Sequence, residues 1–263
     1  MTEVLRWTHI ITGMLGLVLF WIPVFARKGS PLHRIAGRGF LWCTYIVSVS
    51  AVTVLALRLS EPISRGVDIT TLKLFPFFVM LVYLAVMLVI GAWYSRHVLQ
   101  YKADLTGLRK PLGWALAIVS ILASVVLVII ALNGNPALRV LLLALSPLGI
   151  LGGVGMIRHF LVPTREPKAW MIQHLNNALG LGIGYHTAFF VFGMRSFTEQ
   201  WLTGFWGILP WVLPALIGIP MISWVTRRYR NRFKVANAPS LSTLSIREPA
   251  METAGEYPYT ENR

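Results

Sequence analysis

No Asp, Glu, Lys or Arg lies near the centre of any long apolar stretch of this chain, so its six histidines are the residues left to do chemistry there. Imidazole can ligate a metal, carry a proton or change charge near neutral pH. His33, His97, His159 and His174 sit at or near the basic ends of the apolar stretches, and His9 and His186 lie toward the opposite ends. His174 and His186 share one stretch, and twelve residues of α-helix give about 18 Å of rise and about 120° of rotation. That rise suits two redox centres, one per leaflet, whereas the rotation turns the two rings to different faces. His9 is the candidate partner of His186 on one side, and His97, His159 or His174 can pair on the other. Histidine is a common axial ligand of haem iron. A b-type haem held by residues from the set His9, His97, His174 and His186 is therefore the leading cofactor expectation, with no spacing that specifies any other metal. The bland alternative has the same rings capping helix ends, meeting lipid headgroups or bonding to Asn176, Asn177 and Tyr185.

The densest polar motif is the run Arg27-Lys-Gly-Ser-Pro-Leu-His-Arg-Ile-Ala-Gly-Arg38. Arg34 and Arg38 are four residues apart and share a helical face. With His33 beside them they form a candidate anion site for a lipid phosphate or a carboxylate. The same residues also read as a cytosolic anchor with a turn at Gly29. Ser30 is placed to cap the following helix and Pro31 to open it, and Asn135-Pro136 repeats that pattern.

These groups must be positioned by membrane-spanning helices. The chain has 263 residues, 56% hydrophobic and only 13% charged, against about a quarter charged in soluble domains. Crossing the hydrocarbon core takes about 20 apolar residues. Seven predicted spans meet that length: 7–26, 39–57, 74–93, 111–132, 138–156, 170–194 and 205–225. The first reads as a retained span, since basic residues follow it without a small-residue cleavage site. Connections alternate in charge. Sixteen Lys and Arg fall on one side and six on the other, which by the positive-inside rule puts the N-terminus out and the C-terminus in. The expectation is an all-α bundle of seven transmembrane helices over 1–234, with a disordered cytosolic tail over 235–263. The net charge of +14 follows membrane topology, so no nucleic-acid partner is expected; anionic lipid headgroups are. Cys43 is the single cysteine, which excludes an internal disulfide and a thiolate cluster.

The fifth span carries Gly149 and Gly153 and the sixth Gly180 and Gly184, pairs spaced for close helix packing. The seventh is interrupted by Pro210, Pro214 and Pro220, and broken helices commonly line cavities. A cavity is therefore expected between the fifth, sixth and seventh spans, with Asn177, Tyr185 and His186 as its polar groups. All ten acidic residues lie outside the spans, which argues against a carboxylate-driven transporter, a voltage sensor or an aspartate-ligated intramembrane hydrolase. Gly180-Leu-Gly-Leu-Gly184 lies within a span with no preceding strand, so it is no nucleotide fingerprint.

Three function classes follow: a haem- or quinone-binding redox protein, which leads; a permease or lipid-handling protein; and a structural or assembly subunit. A His-bearing first helix, Pro-x-His-Arg-x-x-Gly-Arg at 31–38, Trp-Met-x-x-His at 170–174 and Gly-Tyr-His-Thr-Ala-Phe at 184–189 together resemble a bacterial family of multi-pass membrane proteins of unknown function. The resemblance covers roughly the first 60 residues and about residues 155–195. It implies a bacterial multi-pass membrane protein, for which the inner membrane is the expected location, and singles out His33, His174 and His186, but carries no activity, cofactor or catalytic residue with it.

Overall fold

The structure, a computed structural model, describes residues 2–102, 104–134, 136–161, 168–202 and 204–236. The described residues are helical and contain no strand. The helices are α1 (Thr2–Phe25), α2 (Pro31–Ser64), α3 (Phe75–Tyr101), α4 (Pro111–Asn133), α5 (Pro136–Leu145), α6 (Pro147–Leu161), α7 (Ala169–Ala188), α8 (Arg195–Trp201) and α9 (Leu209–Ala236). Short 3-10 turns lie at Ile69–Thr71 and Gly204–Ile208, and a π turn at Phe189–Gly193 extends α7. Residues 237–263, which hold nearly all of the expected tail, lie outside the described residues, as does Asn135.

Six helical segments are long and apolar enough to cross a membrane: α1, α2, α3, α4, α5 with α6, and α9. The sixth predicted span, now α7 and its π turn, is not among them. Gln173, His174, Asn176, Asn177 and His186 dilute its apolar surface. The position of α7 explains why it tolerates them. It packs along α3 and α9 and touches α1, so much of its surface meets protein. By contrast α1 and α9 each bury only 11% of their apolar window inside the bundle and leave the rest for lipid.

The long helix α3 joins three clusters. Met80 and Tyr83 pack with Leu127, Ala131 and Leu142 of α4 and α5. Ile90, Tyr94 and Val98 pack with Met156 and Phe160 of α6. Ala92 packs with Phe20, Phe40 and Leu179 of α1, α2 and α7. The Gly149 and Gly153 pair acts as expected: a Cβ at either position would run into α4, at Ser120 and Ser124 or at Ala117 and Ile121. The close approach on α7 is at Gly182, against the Phe20 ring, whereas Gly180 faces open space and Gly184 meets only Leu88.

The helix break falls elsewhere than the prolines of the seventh span suggested. α9 runs on through Pro214 and Pro220, with its exposed faces able to bow toward lipid. The chain instead breaks at Ser146, ahead of Pro147, dividing the fifth predicted span into α5 and α6. A break in hydrocarbon leaves peptide groups that need partners. The Tyr83 hydroxyl of α3 supplies them, accepting from the Gly149 amide at 2.9 Å and lying 3.1 Å from the Leu145 carbonyl, with Ser124 Oγ at 3.2 Å. Ser120 Oγ donates to the Gly149 carbonyl at 2.8 Å. Tyr83→Phe keeps the ring and leaves the Gly149 amide buried without a partner. A loss of about 1–3 kcal/mol is expected, read as a lower thermal midpoint in detergent than wild type or Tyr45→Phe. Equal midpoints would show that the break does not depend on this hydroxyl.

Candidate functional site

The turn between α1 and α2 is built from the basic motif itself. Gly29 adopts φ +79°, a left-handed conformation that glycine takes without strain. Ser30 caps α2 by accepting from the His33 amide at 3.2 Å, and Pro31 opens the helix. The last carbonyls of α1 would otherwise lack partners. Lys28 Nζ donates to the Pro23 and Val24 carbonyls at 2.8 and 2.7 Å, and His33 Nδ1 meets the Pro23 carbonyl at 3.1 Å. Burial in this position lowers the Lys28 pKa from the usual lysine value. Half of the motif's polarity is thus spent on holding the turn. At 34 residues, α2 is about 51 Å long, well beyond the ~30 Å hydrocarbon core, so its basic first turns can emerge at the interface.

This turn forms one wall of a cavity of about 1160 Å³. The C-terminal end of α1, the N-terminal end of α2, the C-terminal end of α3, the N-terminal end of α7 and the later turns of α9 converge on it. Its lining holds six Lys and Arg side chains and two histidines but no Asp or Glu among the described residues. The loop and α2 contribute Lys28, His33, Arg34 and Arg38. Arg96 and Lys102 come from α3, His174 from α7 and Arg228 from α9. Deeper walls are apolar, including Phe20, Phe40, Leu41, Leu175, Leu179 and Met221. The ion pairs among the described residues, Glu3–Arg6 and Glu61–Arg65, belong to the other ends of α1 and α2.

The cations differ in what already holds them. Lys102 lies over the Trp170 ring, 5.8 Å from its centroid, and Arg228 over Trp224 at 5.5 Å. Arg38 Nε donates to the Arg34 carbonyl at 3.4 Å, leaving its terminal nitrogens available. Arg34 and Arg96 have no hydrogen-bonded or ion-paired side-chain partner among the described residues. Between Arg34 and Arg38, Gly37 borders open space, with no atom within 4 Å of where a Cβ would sit.

The predicted anion site is thus brought into one cavity, and His174 joins it. Nδ1 of His174 meets the Ser95 carbonyl at 3.0 Å and Ser95 Oγ at 3.1 Å. A carbonyl only accepts, so Nδ1 carries a proton, and in the neutral ring Nε2 is then an acceptor. The same reasoning applies to His33 on the Pro23 carbonyl.

The other histidines are dispersed. His9 bonds through Nδ1 to the Val47 carbonyl and Ser50 Oγ on α2, each at 3.1 Å. His97 bonds to the Trp93 carbonyl at 2.7 Å and stacks on the Trp93 ring. His159 Nδ1 is 2.6 Å from the Tyr94 hydroxyl. His186 has both nitrogens engaged, Nδ1 with the Gly182 carbonyl at 2.7 Å and Nε2 accepting from Trp21 Nε1 at 3.2 Å. His9 and His186 are not brought together: the α1 partner of His186 is Trp21, twelve residues and about 18 Å along the helix from His9. No group of three or more His, Cys, Asp or Glu able to hold a metal occurs among the described residues.

Of the fifth, sixth and seventh predicted spans, between which a cavity was expected, the sixth and seventh line this one, with α1, α2 and α3 beside them, whereas α5 and α6 take no part in it. Asn177 donates to the Gln173 carbonyl within α7, at 3.0 Å. Tyr185 packs against Phe40 and Gly16, with its hydroxyl buried beside Thr44, whose own hydroxyl donates to the Phe40 carbonyl. Sequence reasoning missed Lys28, Arg96, Lys102, Arg228 and Gly37. The charge alternation put the first four on one face but carried no sign of which of the sixteen basic residues converge. The chain matches no family model, no curated protein and no solved structure, so the reading of its function rests on this geometry.

Proposed function

We propose that this protein is a seven-span membrane protein whose cavity takes the acidic head of an amphiphile from the surrounding leaflet. Charge alternation supports an orientation with the N-terminus outside and the cavity at the cytosolic face of a bacterial inner membrane, with α7 as a seventh span sheathed by α1, α3 and α9. The single observation that carries the ligand reading is the lining: six Lys and Arg and, among the described residues, no carboxylate, set above apolar walls, in about 1160 Å³. Binding pockets for small molecules commonly run from about 300 to 1,000 Å³, so this one has room for a headgroup and the first part of an acyl chain.

Electrostatics favour the same occupant. Unit charges 4 Å apart interact by about 1 kcal/mol in water and by about 4 kcal/mol at the effective dielectric of a protein surface. A cluster of cations without a carboxylate is relieved by a phosphate or carboxylate. Guanidinium groups hold either through paired hydrogen bonds. The acyl chain then covers apolar surface that water would otherwise wet. Binding of this kind serves lipid handling, by transfer, sensing or permeation.

Two predictions test the reading by native mass spectrometry of the detergent-purified protein with added phospholipids. Wild-type protein is expected to retain phosphatidylglycerol and phosphatidic acid over phosphatidylcholine. Arg34→Gln with Arg38→Gln is expected to weaken both anionic lipids by roughly tenfold or more, since a hydrogen bond to a charged group contributes about 1.5–3 kcal/mol and 1.4 kcal/mol is about tenfold. Anionic lipids held no better than phosphatidylcholine would overturn the proposal. Gly37→Leu is expected to fold as stably as wild type, because it enters open space and removes a helix glycine worth about 1 kcal/mol, while losing bound lipid. Full lipid occupancy in that variant would mean that the lipid sits outside the cavity.

A further inference from the structure

The two histidines of the cavity share a geometry that its arginines do not explain. His33 and His174 approach from different helices, and each commits Nδ1 to a backbone carbonyl, at Pro23 and at Ser95. Each therefore leaves Nε2 without a described partner, and both rings line a cavity crowded with cations. No described residue donates a hydrogen bond to either Nε2. An acceptor nitrogen facing an anion is repulsive unless it gains a proton, and an imidazole does so near pH 6.5.

We infer that the head taken by this cavity is a terminal phosphate, a phosphomonoester, bound as its dianion with His33 and His174 protonated at Nε2 on binding. The inference rests on the amphiphile reading above and names its headgroup. A phosphomonoester offers three terminal oxygens and a charge that reaches about −2 above a pKa near 6. A phosphodiester offers two free oxygens and one charge, and a carboxylate two oxygens and one charge. The donors match the larger demand. Arg34, Arg38 and Arg96 bring guanidinium groups without an ion-paired partner among the described residues, and two protonated imidazoles add two more N–H donors. The three remaining cations are partly occupied: Lys28 with two carbonyls, Lys102 with Trp170 and Arg228 with Trp224. Tyr229 of α9 is the other titratable group at the lining, and no acid among the described residues faces the pair from α1, α2, α3, α7 or α9.

The proton balance sets the pH dependence. Above about pH 7 the free ligand is a dianion and both imidazoles are neutral, so the complex holds up to two more protons than its separated parts. Affinity must then fall as pH rises, by up to about tenfold per unit for each proton taken up. A phosphodiester, with its weaker demand, has a shallower slope.

The test measures affinity of the full chain in phosphatidylcholine nanodiscs carrying dioleoyl phosphatidic acid or dioleoyl phosphatidylglycerol, at pH 7.0 and 8.5, with glycerol 3-phosphate as a soluble phosphomonoester. The expected result is at least roughly tenfold preference for phosphatidic acid at pH 7.0, falling at least roughly tenfold by pH 8.5. In His33→Gln with His174→Gln, which keeps an amide donor in reach without titrating, the preference and the slope are both lost while phosphatidylglycerol still binds. Glycerol 3-phosphate binding as tightly as phosphatidic acid upholds the phosphomonoester and assigns it to a soluble source. Equal affinity for phosphatidic acid and phosphatidylglycerol, or an unchanged slope in the double variant, overturns this inference alone. Failure to bind either anionic lipid overturns the amphiphile reading with it.

Discussion

Hydrocarbon supplies no hydrogen bonds, so each polar group carried into the bundle has to be closed by another part of the same chain. Much of the described structure follows from that constraint. Five of the six histidines set Nδ1 on a backbone carbonyl, and the sixth on a tyrosine hydroxyl. Thr44 and Ser48 return their hydroxyls to carbonyls one turn back along α2. Tyr83 bridges the break between α5 and α6. Thr226 of α9 donates to Asn176 of α7 at 2.6 Å, which closes a polar side chain on each of two packed helices.

Against this background the cavity is an exception. Among the described residues its cations meet carbonyls and aromatic faces rather than carboxylates. A carbonyl or a π face stabilises a cation's position without neutralising it, so the site is ordered and still strongly positive. Apolar walls lie below that charge and helix ends frame it, and the proposed amphiphilic occupant follows from those two features. The α1–α2 turn connects the two properties, because the residues that close the end of α1 also form the cationic rim.

The elements legible in the sequence were those decided by neighbours along the chain. Ser30, Pro31 and Gly29 specify the turn and the start of α2 through capping and a positive φ, and the structure contains both. Six of the seven predicted spans reappear as long apolar helices, and Arg34, Arg38 and His33 do share a cavity. The departures come from elements whose character depends on remote partners. α7, read along the chain as the sixth span, is not among the segments long and apolar enough to cross, and its packing on α1, α3 and α9 accounts for the polar residues it carries. Pro210, Pro214 and Pro220 drew attention to the last helix, yet the break with consequences is at Ser146, where Tyr83 and Ser120, from two other helices, are available to satisfy the freed groups.

By itself, the sequence determined a helical membrane protein, the rough limits of its apolar helices, an asymmetric charge distribution and a basic turn. Local propensity, span length and loop charge act within a few residues of one another, and so they can be read along the chain. Only the tertiary structure decided which histidines line the cavity and which bond elsewhere, and which three helices join the basic turn. Lys102 and Arg228 are as far from Arg34 in sequence as many residues they never meet. Their convergence is set by how α3, α7 and α9 pack, and that packing is a property of all the helices together.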